Sequence, residues 1–373
     1  MENESHSHIA DENCSLGQDV ILEILARLPA ESLIQCERVC KSWFRIIHDP
    51  NFVHKFKQVF IIGKFHRLQY LVLNVNNGNW TGKVLENSWC TFFRIEDAYN
   101  GLILHKTTNY SNLHVYNNSN DKMTTIPLVP LTSSRNYYSL VHDASIQKYK
   151  VVCFCLRNNI VKCYIYVLDS NDEEVNEAPT WRELSFSFLV NFPTHPTIDF
   201  DRVLCNGALN WISKTETDLM AYVSSLDISS EKLGKRIELP SKPSLCNMTI
   251  FFNCKLLAFN GFLCYANPSS KDRFDFWVLK DWDKLKPIWI KQYTLRLSSM
   301  ICKPAGLKSF VHDNFFPLAI YHSVHSYSVE IMIQFSRKLF VYNVKSKELR
   351  SIEVIEEESL DACYLRHFII TLK

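Results

Sequence analysis

One phrase recurs along this chain and limits what it can fold into. An apolar run ends in a turn-forming residue, a short polar stretch follows, and a second apolar run completes it. The phrase occurs as YLVLNVNNGNW, LHVYNNSNDKMTTIPL, YIYVLDSNDEEVNEAPTWREL, YVSSLDISSEKLGKRIEL, FDFWVLKDWDKLKPIWIKQYTL and LFVYNVKSKELRSIEV. With Asn74, Asn117, Asp169, Asp227, Lys280 and Asn343 as marks, the steps are 43, 52, 58, 53 and 63 residues. That spacing fits a four-stranded propeller blade of roughly 40 to 50 residues with loop insertions. A second phrase precedes several of these, as NGLILHK at Asn100, NGALNWI at Asn206 and NGFLCYA at Asn260. Asn-Gly suits a tight hairpin turn because both residues tolerate positive φ. One such sheet cannot bury both of its faces, whereas a ring of them closes the core and hides the edges. The expectation for residues 59–373 is an all-β domain, a β-propeller of about six blades. Its closing strand is either YLRHFIITL, Tyr364 to Leu372, or a partner of the strand near Phe60.

The first sixty residues follow a different period. At about 100° per residue, Leu16, Val20, Ile21, Ile24, Leu25 and Leu28 cover about half the circumference of a helix. Pro29 stops that helix, since it lacks an amide proton and disfavours helix at Leu28. A second helix is expected from Glu31 or Ser32, carrying Leu33, Ile34, Cys36, Val39 and Cys40 into Trp43, Phe44, Ile46 and Ile47. Asp49 and Pro50 read as an N-cap and first-turn proline of a third, with Phe52, Val53, Phe56, Val59 and Phe60 on one face. The expected organisation is a disordered tail over 1–13, a small all-α three-helix module over 14–58, and the all-β domain over 59–373. About forty residues is close to the lower limit for independent stability. The surplus apolar surface therefore needs a partner or the rest of the chain.

Composition removes several function classes. With 41 basic and 39 acidic residues the net charge is +2, which provides no field for drawing in nucleic acid. No run approaches the roughly 18 apolar residues of a membrane span. Thirteen cysteines form an odd set with no secretory leader ahead of them, so reduced thiols and a location in the cytoplasm and/or nucleus are expected. Neither GxGxxG, GxxxxGK[ST] nor GxSxG occurs. Cys36 with Cys40, Cys153 with Cys155, and His322 with His325 are the nearest things to ligand pairs, and none is completed to a four-ligand set. Cys153 and Cys155, two apart on a strand, are expected on one buried sheet face. No cofactor, metal or catalytic residue is expected, and the chain is not expected to be an enzyme.

The N-terminal stretch resembles an F-box. Glu23-Ile24-Leu25, Leu28-Pro29, Ser32-Leu33, Val39-Cys40-Lys41-Ser42-Trp43 and Asp49-Pro50-Asn51-Phe52 match that pattern in order. Gly17 stands where proline is usual, and Gln35-Cys36-Glu37 replaces a more basic and aromatic run. The resemblance implies docking to the Skp adaptor of Skp–cullin–F-box ubiquitin ligases by Leu16, Val20, Ile24, Leu28, Pro29, Leu33, Val39, Cys40 and Trp43, or packing behind that face. Trp43 fits either role. From Phe60 onward, NGLILHK, HDASIQKYKVVCF, VLCNGALNWIS with SLDISSEKLGKRIELP, and FDFWVLKDWDKLKPIWIKQYTL resemble, in order, the plant F-box-associated domain, a kelch-like propeller that recognises substrate. The kelch Gly-Gly pair is missing, and Trp282-Asp283 lacks the rest of a WD repeat. The implied partners are a Skp-family adaptor, a cullin through it, and an unidentified protein substrate, with no nucleic acid and no membrane. The alternative is an F-box-like scaffold or binding protein acting outside a ubiquitin ligase.

Overall fold

The computed structural model describes residues 17–28, 36, 39–47, 57–64, 67–76, 79–86, 93–99, 102–107, 112–117, 122–130, 135–157, 160–168, 180–189, 202–214, 221–240, 254–259, 261–270, 273–282, 286–296, 315–323, 328–335, 338–355 and 369–372. The chain divides into two compact units, Met1–Phe56 and Lys57–Lys373. The tail over 1–13 lies outside the described residues.

In the first unit, α1 spans Gln18–Arg27 and α2 spans Lys41–Ile47. The Gly17 carbonyl accepts hydrogen bonds from Val20 N at 3.0 Å and Ile21 N at 3.1 Å, which starts α1. Leu28 is extended, at φ −77° and ψ 146°, the conformation imposed on a residue before proline. The helix expected to run through Val39 and Cys40 is interrupted there. Val39 N instead donates to Cys36 O at 3.1 Å, a tightened turn ahead of α2. The expected third helix is also corrected at its end. Residues 48–56 lie outside the described set, but Val59 and Phe60 sit in strand β1, Lys57–Lys64. The run Val59-Phe60-Ile61-Ile62 is β-branched and aromatic and has strands on both sides, so sheet pairing overrides the helical arc.

The second unit is built of strands. β1 is followed by β2 (Arg67–Asn76) and β3 (Asn79–Glu86) in a first sheet. The second sheet holds β4 (Phe93–Tyr99), β5 (Leu102–Thr107), β6 (Leu113–Asn117) and β7 (Lys122–Ile126). The third holds β8 (Arg135–Asp143), β9 (Lys148–Arg157), β10 (Ile160–Leu168) and β11 (Arg182–Leu189). The fourth holds β12 (Arg202–Cys205), β13 (Ala208–Lys214), β14 (Ala221–Asp227) and β15 (Ile237–Glu238). The fifth holds β16 (Lys255–Phe259), β17 (Phe262–Ser270), β18 (Arg273–Lys280) and β19 (Ile288–Arg296). The sixth holds β20 (Phe315–Ser323), β21 (Ser328–Phe335), β22 (Lys338–Asn343) and β23 (Leu349–Ser351). These five are antiparallel meanders with the form of propeller blades. The first sheet is completed from the other end of the chain, by β24 (Glu353–Ile355) and β25 (Ile369–Leu372), in the order β24-β3-β2-β1-β25. Phe60 lies opposite Ile369 and Lys57 opposite Leu372, so the late apolar run and the strand near Phe60 are partners.

The third sheet buries both faces, and the strand period shows how. Along β9, Val151, Cys153 and Cys155 face the second sheet, packing with Leu104, Leu113 and Val115. Val152, Phe154 and Leu156 face the fourth, where Phe154 meets the Trp211 ring edge-on at 5.3 Å. A run of apolar residues in sequence is thus two interleaved faces. Each fully buried Val, Leu or Phe contributes roughly 1.5–3 kcal/mol. Similar seams join the fourth sheet to the fifth around Val223, Leu263 and Tyr265, and the fifth to the sixth around Phe276, Ile331 and Phe340.

The turn residues explain the recurrent phrase. Asp227 Oδ1 accepts from Ser230 N and Oγ, both at 2.7 Å. Asn343 Oδ1 accepts from Lys345 N and Ser346 N, both at 3.0 Å. Asp143 Oδ1 does the same for Ser145 N at 2.9 Å and Oγ at 2.6 Å. In all three turns the fourth residue after the cap has positive φ: Gln147 at 53°, Glu231 at 56° and Lys347 at 59°. An Asx cap followed by a left-handed residue is a compact way to reverse a strand. Asn206 (φ 53°) and Gly207 (φ 69°) make a two-residue turn, bringing Cys205 opposite Ala208.

Neighbouring sheets are also clamped by charge. On the free edge of β8, Leu140 N donates to Asp97 Oδ2 of the second sheet at 2.8 Å. The Tyr138 carbonyl accepts from Arg202 of the fourth sheet at 2.9 Å. Both bonds satisfy groups on a strand edge. Lys150 Nζ lies 2.6 Å from Asp143 and 2.9 Å from Glu231 across the seam between the third and fourth sheets, and Arg182 also binds Glu231. Burial alone would raise the Asp143 carboxyl, but hydrogen bonds from Lys150, Ser145 and Ser229 hold it well below the carboxylate range. That contribution to stability is present above the unfolded carboxyl value and is lost only in strong acid.

A milder pH sets a different limit. His105 and His114 stack across β5 and β6 with ring centroids 5.3 Å apart. Burial, then the neighbouring His114, lower His105 to about 4, and burial lowers His114 as well. A depressed histidine contributes stability that is whole above about pH 6.5 and declines as pH falls toward 4. Chemical denaturation of the protein should show about 2 kcal/mol less stability at pH 5 than at pH 7.5 from His105. His105→Gln should flatten that slope.

Candidate functional site

The helical unit sorts its apolar residues into two sets. Leu25 and Ile46 are buried, and Ile21, Leu22, Leu28, Cys36 and Trp43 pack against them. Val20 (47% exposed), Ile24 (43%) and Val39 (61%) are open to solvent, and Cys40 is exposed. Val20 and Ile24 are four apart and share one stripe of α1, while Ile21, Leu25 and Leu28 share the next. The broad apolar arc visible in the sequence is therefore a core stripe beside an exposed stripe. Leu22 also belongs with the core.

The nine residues implicated from sequence divide accordingly. Val20, Ile24, Val39 and Cys40 are exposed. Leu28 and Trp43 are half-buried and pack on Leu25 and Ile46, so the indole supports the unit from within. Leu16, Pro29 and Leu33 lie outside the described residues. The buried pair Leu25 and Ile46 was not singled out by sequence, because their facing requires α2 to fold back on α1. Gly17 has φ −56° and ψ 147°, a backbone that proline would also adopt. A Cβ placed there would meet nothing within 4 Å.

The strand unit offers rigid framework more than reactive groups. Cys153 and Cys155 are fully buried with their sulfurs 3.6 Å apart, on one sheet face as the strand period requires. Burial raises the Cys153 and Cys163 thiols, and pushes Cys264 up to about 12. A thiol held protonated is a poor nucleophile and a poor ligand. Among the described residues no group of three or more His, Cys, Asp or Glu could hold a metal ion. None of the helices among them is long and apolar enough to cross a membrane.

An N-terminal helical module ahead of a propeller-type β unit defines the class, and comparison with known proteins gives the family. Residues 74–371 match the model of the F-box associated beta propeller domain, and residues 14–58 match the F-box-like model. The chain belongs to the F-box-associated β-propeller family, with its F-box-like segment N-terminal to the propeller. It is similar to F-box protein CPR1 of Arabidopsis thaliana, at 21% identity over 91% of this chain and 84% of that protein. A second Arabidopsis F-box protein is 23% identical over 93% of this chain and 92% of its own length. Matches to individual relatives span from 56% to 96% of their lengths. Among solved structures, a chain of a nidogen/laminin complex aligns with a TM-score of 0.41 and 9% identity, covering 84% of this chain and 97% of that one.

The division of the helical unit can be checked by mutation. Leu25→Ala should cost about 2–5 kcal/mol, enough to unfold a module this small. Ile24→Asp, at an exposed position, should stay within about 0.5 kcal/mol. Helical signal and protease resistance of the N-terminal unit measure both.

Proposed function

We propose that this protein is the substrate-recognition subunit of a Skp–cullin–F-box ubiquitin ligase. The observation that carries the reading is the exposed apolar set Val20, Ile24, Val39 and Cys40 beside the buried pair Leu25 and Ile46. Exposed apolar residues on so small a unit point to an interaction surface, and the F-box-like match suggests a Skp-family adaptor as its occupant, with a cullin bound through it. Leu16, Pro29 and Leu33 belong to the same docking segment, with Leu28 and Trp43 as support behind it.

The β unit is then the target-binding part, a six-bladed propeller in which the five-stranded sheet is the remaining blade. It supplies a rigid ring from which loops engage a protein. The chain contributes to rate by proximity, raising the effective concentration of a target lysine near the charged conjugating enzyme. No residue of it takes part in the covalent step. The reduced thiols and balanced charge fit work in the cytoplasm and/or nucleus.

The double change Val20→Asp with Ile24→Asp should abolish co-purification with the Skp adaptor, weakening it at least about 100-fold, because two unpaired carboxylates would enter an apolar interface. Leu28→Asp is a poorer probe, since it also injures the core. Undiminished adaptor capture by the correctly folded double variant would leave a scaffold acting outside a ligase as the better account.

A further inference from the structure

The described cysteines fall into two groups. Cys153, Cys155, Cys163, Cys205, Cys254 and Cys264 are buried in the strand unit, whereas in the helical unit Cys40 is exposed and Cys36 is half-buried. Cys153 and Cys155 have their sulfurs 3.6 Å apart, but both are 0% exposed. The seam between the second and third sheets seals them from a dissolved oxidant. Among the described residues, the pair that solvent reaches is Cys36 and Cys40.

The two sit at either end of one turn. Cys36 O accepts from Val39 N at 3.1 Å, Cys40 follows, and α2 begins at Lys41. Cys36 packs against Leu25 and Ile46, while Cys40 stays outside. Residues one helical turn apart have Cβ atoms about 5–6 Å apart, against about 3.5–4.5 Å across a disulfide. Bonding the two sulfurs therefore requires the turn to draw in and Cys36 to leave its seat on the core. Val39, 61% exposed between them, must move with it. A bond made under such load is readily reduced, which suits a reversible event in a reducing compartment.

We propose that Cys40 and Cys36 form a thiol modification site whose oxidation to a disulfide releases the adaptor. The inference rests on the adaptor-docking reading, which puts Val39 and Cys40 in the docking face. Cys40, the open thiol, reacts first with a small disulfide such as glutathione disulfide, and Cys36 resolves the product. In the first step the Cys40 sulfur loses its proton and attacks one sulfur of glutathione disulfide. A mixed disulfide forms, the S–S bond of the reagent breaks, and one glutathione departs with the proton. In the second step the Cys36 sulfur loses its proton and attacks Cys40 Sγ, so that the Cys36–Cys40 bond forms and the second glutathione departs as a thiol. The cysteine pair is oxidised and the glutathione disulfide is reduced by the same electron pair. An adaptor seated on the face covers Cys40, so docking and oxidation exclude one another.

The test uses the full chain and purified Skp adaptor. The reduced protein is incubated with excess glutathione disulfide, its remaining thiols are alkylated, and it is digested with trypsin, which cleaves after Arg38, between the two cysteines. The expected product is the peptide Leu28–Arg38 joined to Val39–Lys41 and lighter than the separate peptides by two hydrogens. Adaptor affinity should fall roughly tenfold or more and return on reduction, and adaptor bound beforehand should protect Cys40. Cys36→Ala should stop the reaction at the mixed disulfide of Cys40 with glutathione. The unaltered chain needs no variant to decide the matter: no joined peptide, or a joined peptide with adaptor affinity unchanged, overturns the proposal. If the reduced chain binds no adaptor, the docking reading itself fails; if it binds and oxidation changes nothing, only the switch does.

Discussion

A four-stranded sheet with two apolar faces has no stable existence alone, and the architecture of the large unit follows from that constraint. β9 shows it most directly, since Val151, Cys153 and Cys155 need the second sheet while Val152, Phe154 and Leu156 need the fourth. A sheet so built requires a neighbour on each face. The first sheet is completed by a late strand, β25, returning to β1. Polar contacts also join neighbouring sheets: Asp97 and Arg202 each bind a backbone group on the edge strand β8, and Lys150 bridges two sheets through Asp143 and Glu231.

Much of this was legible because it is local. Asp227 and Asn343 stood out as register marks, and both are Asx caps of a turn that needs a short side chain accepting from the backbone. Asn206-Gly207 forms the hairpin its residue types favour. What sequence did not show is long-range. Nothing near Glu353 indicates that it will lie beside Thr81. Val59 and Phe60 misled because apolar residues that continue a helical arc also suit a strand when partners are present on both sides.

The helical module carries the same lesson at smaller scale. Its apolar residues were evident, but which served the interior and which the outside depended on where Ile46 meets Leu25. Among the described residues Leu25 and Ile46 are the buried pair, and the exposed Val20 and Ile24 stand out against them.

The pairing of Phe60 with Ile369 also bears on how the molecule is made. Five of the sheets are meanders whose strands are close in sequence, and each can assemble soon after its last strand leaves the ribosome. The first sheet cannot. β1, β2 and β3 must wait for nearly the whole unit to be synthesised before β25 and β24 arrive, and during that interval two strand edges stand open. Until β25 and β24 are made, β1 and β3 present unpaired edges of the kind that can template pairing with another chain.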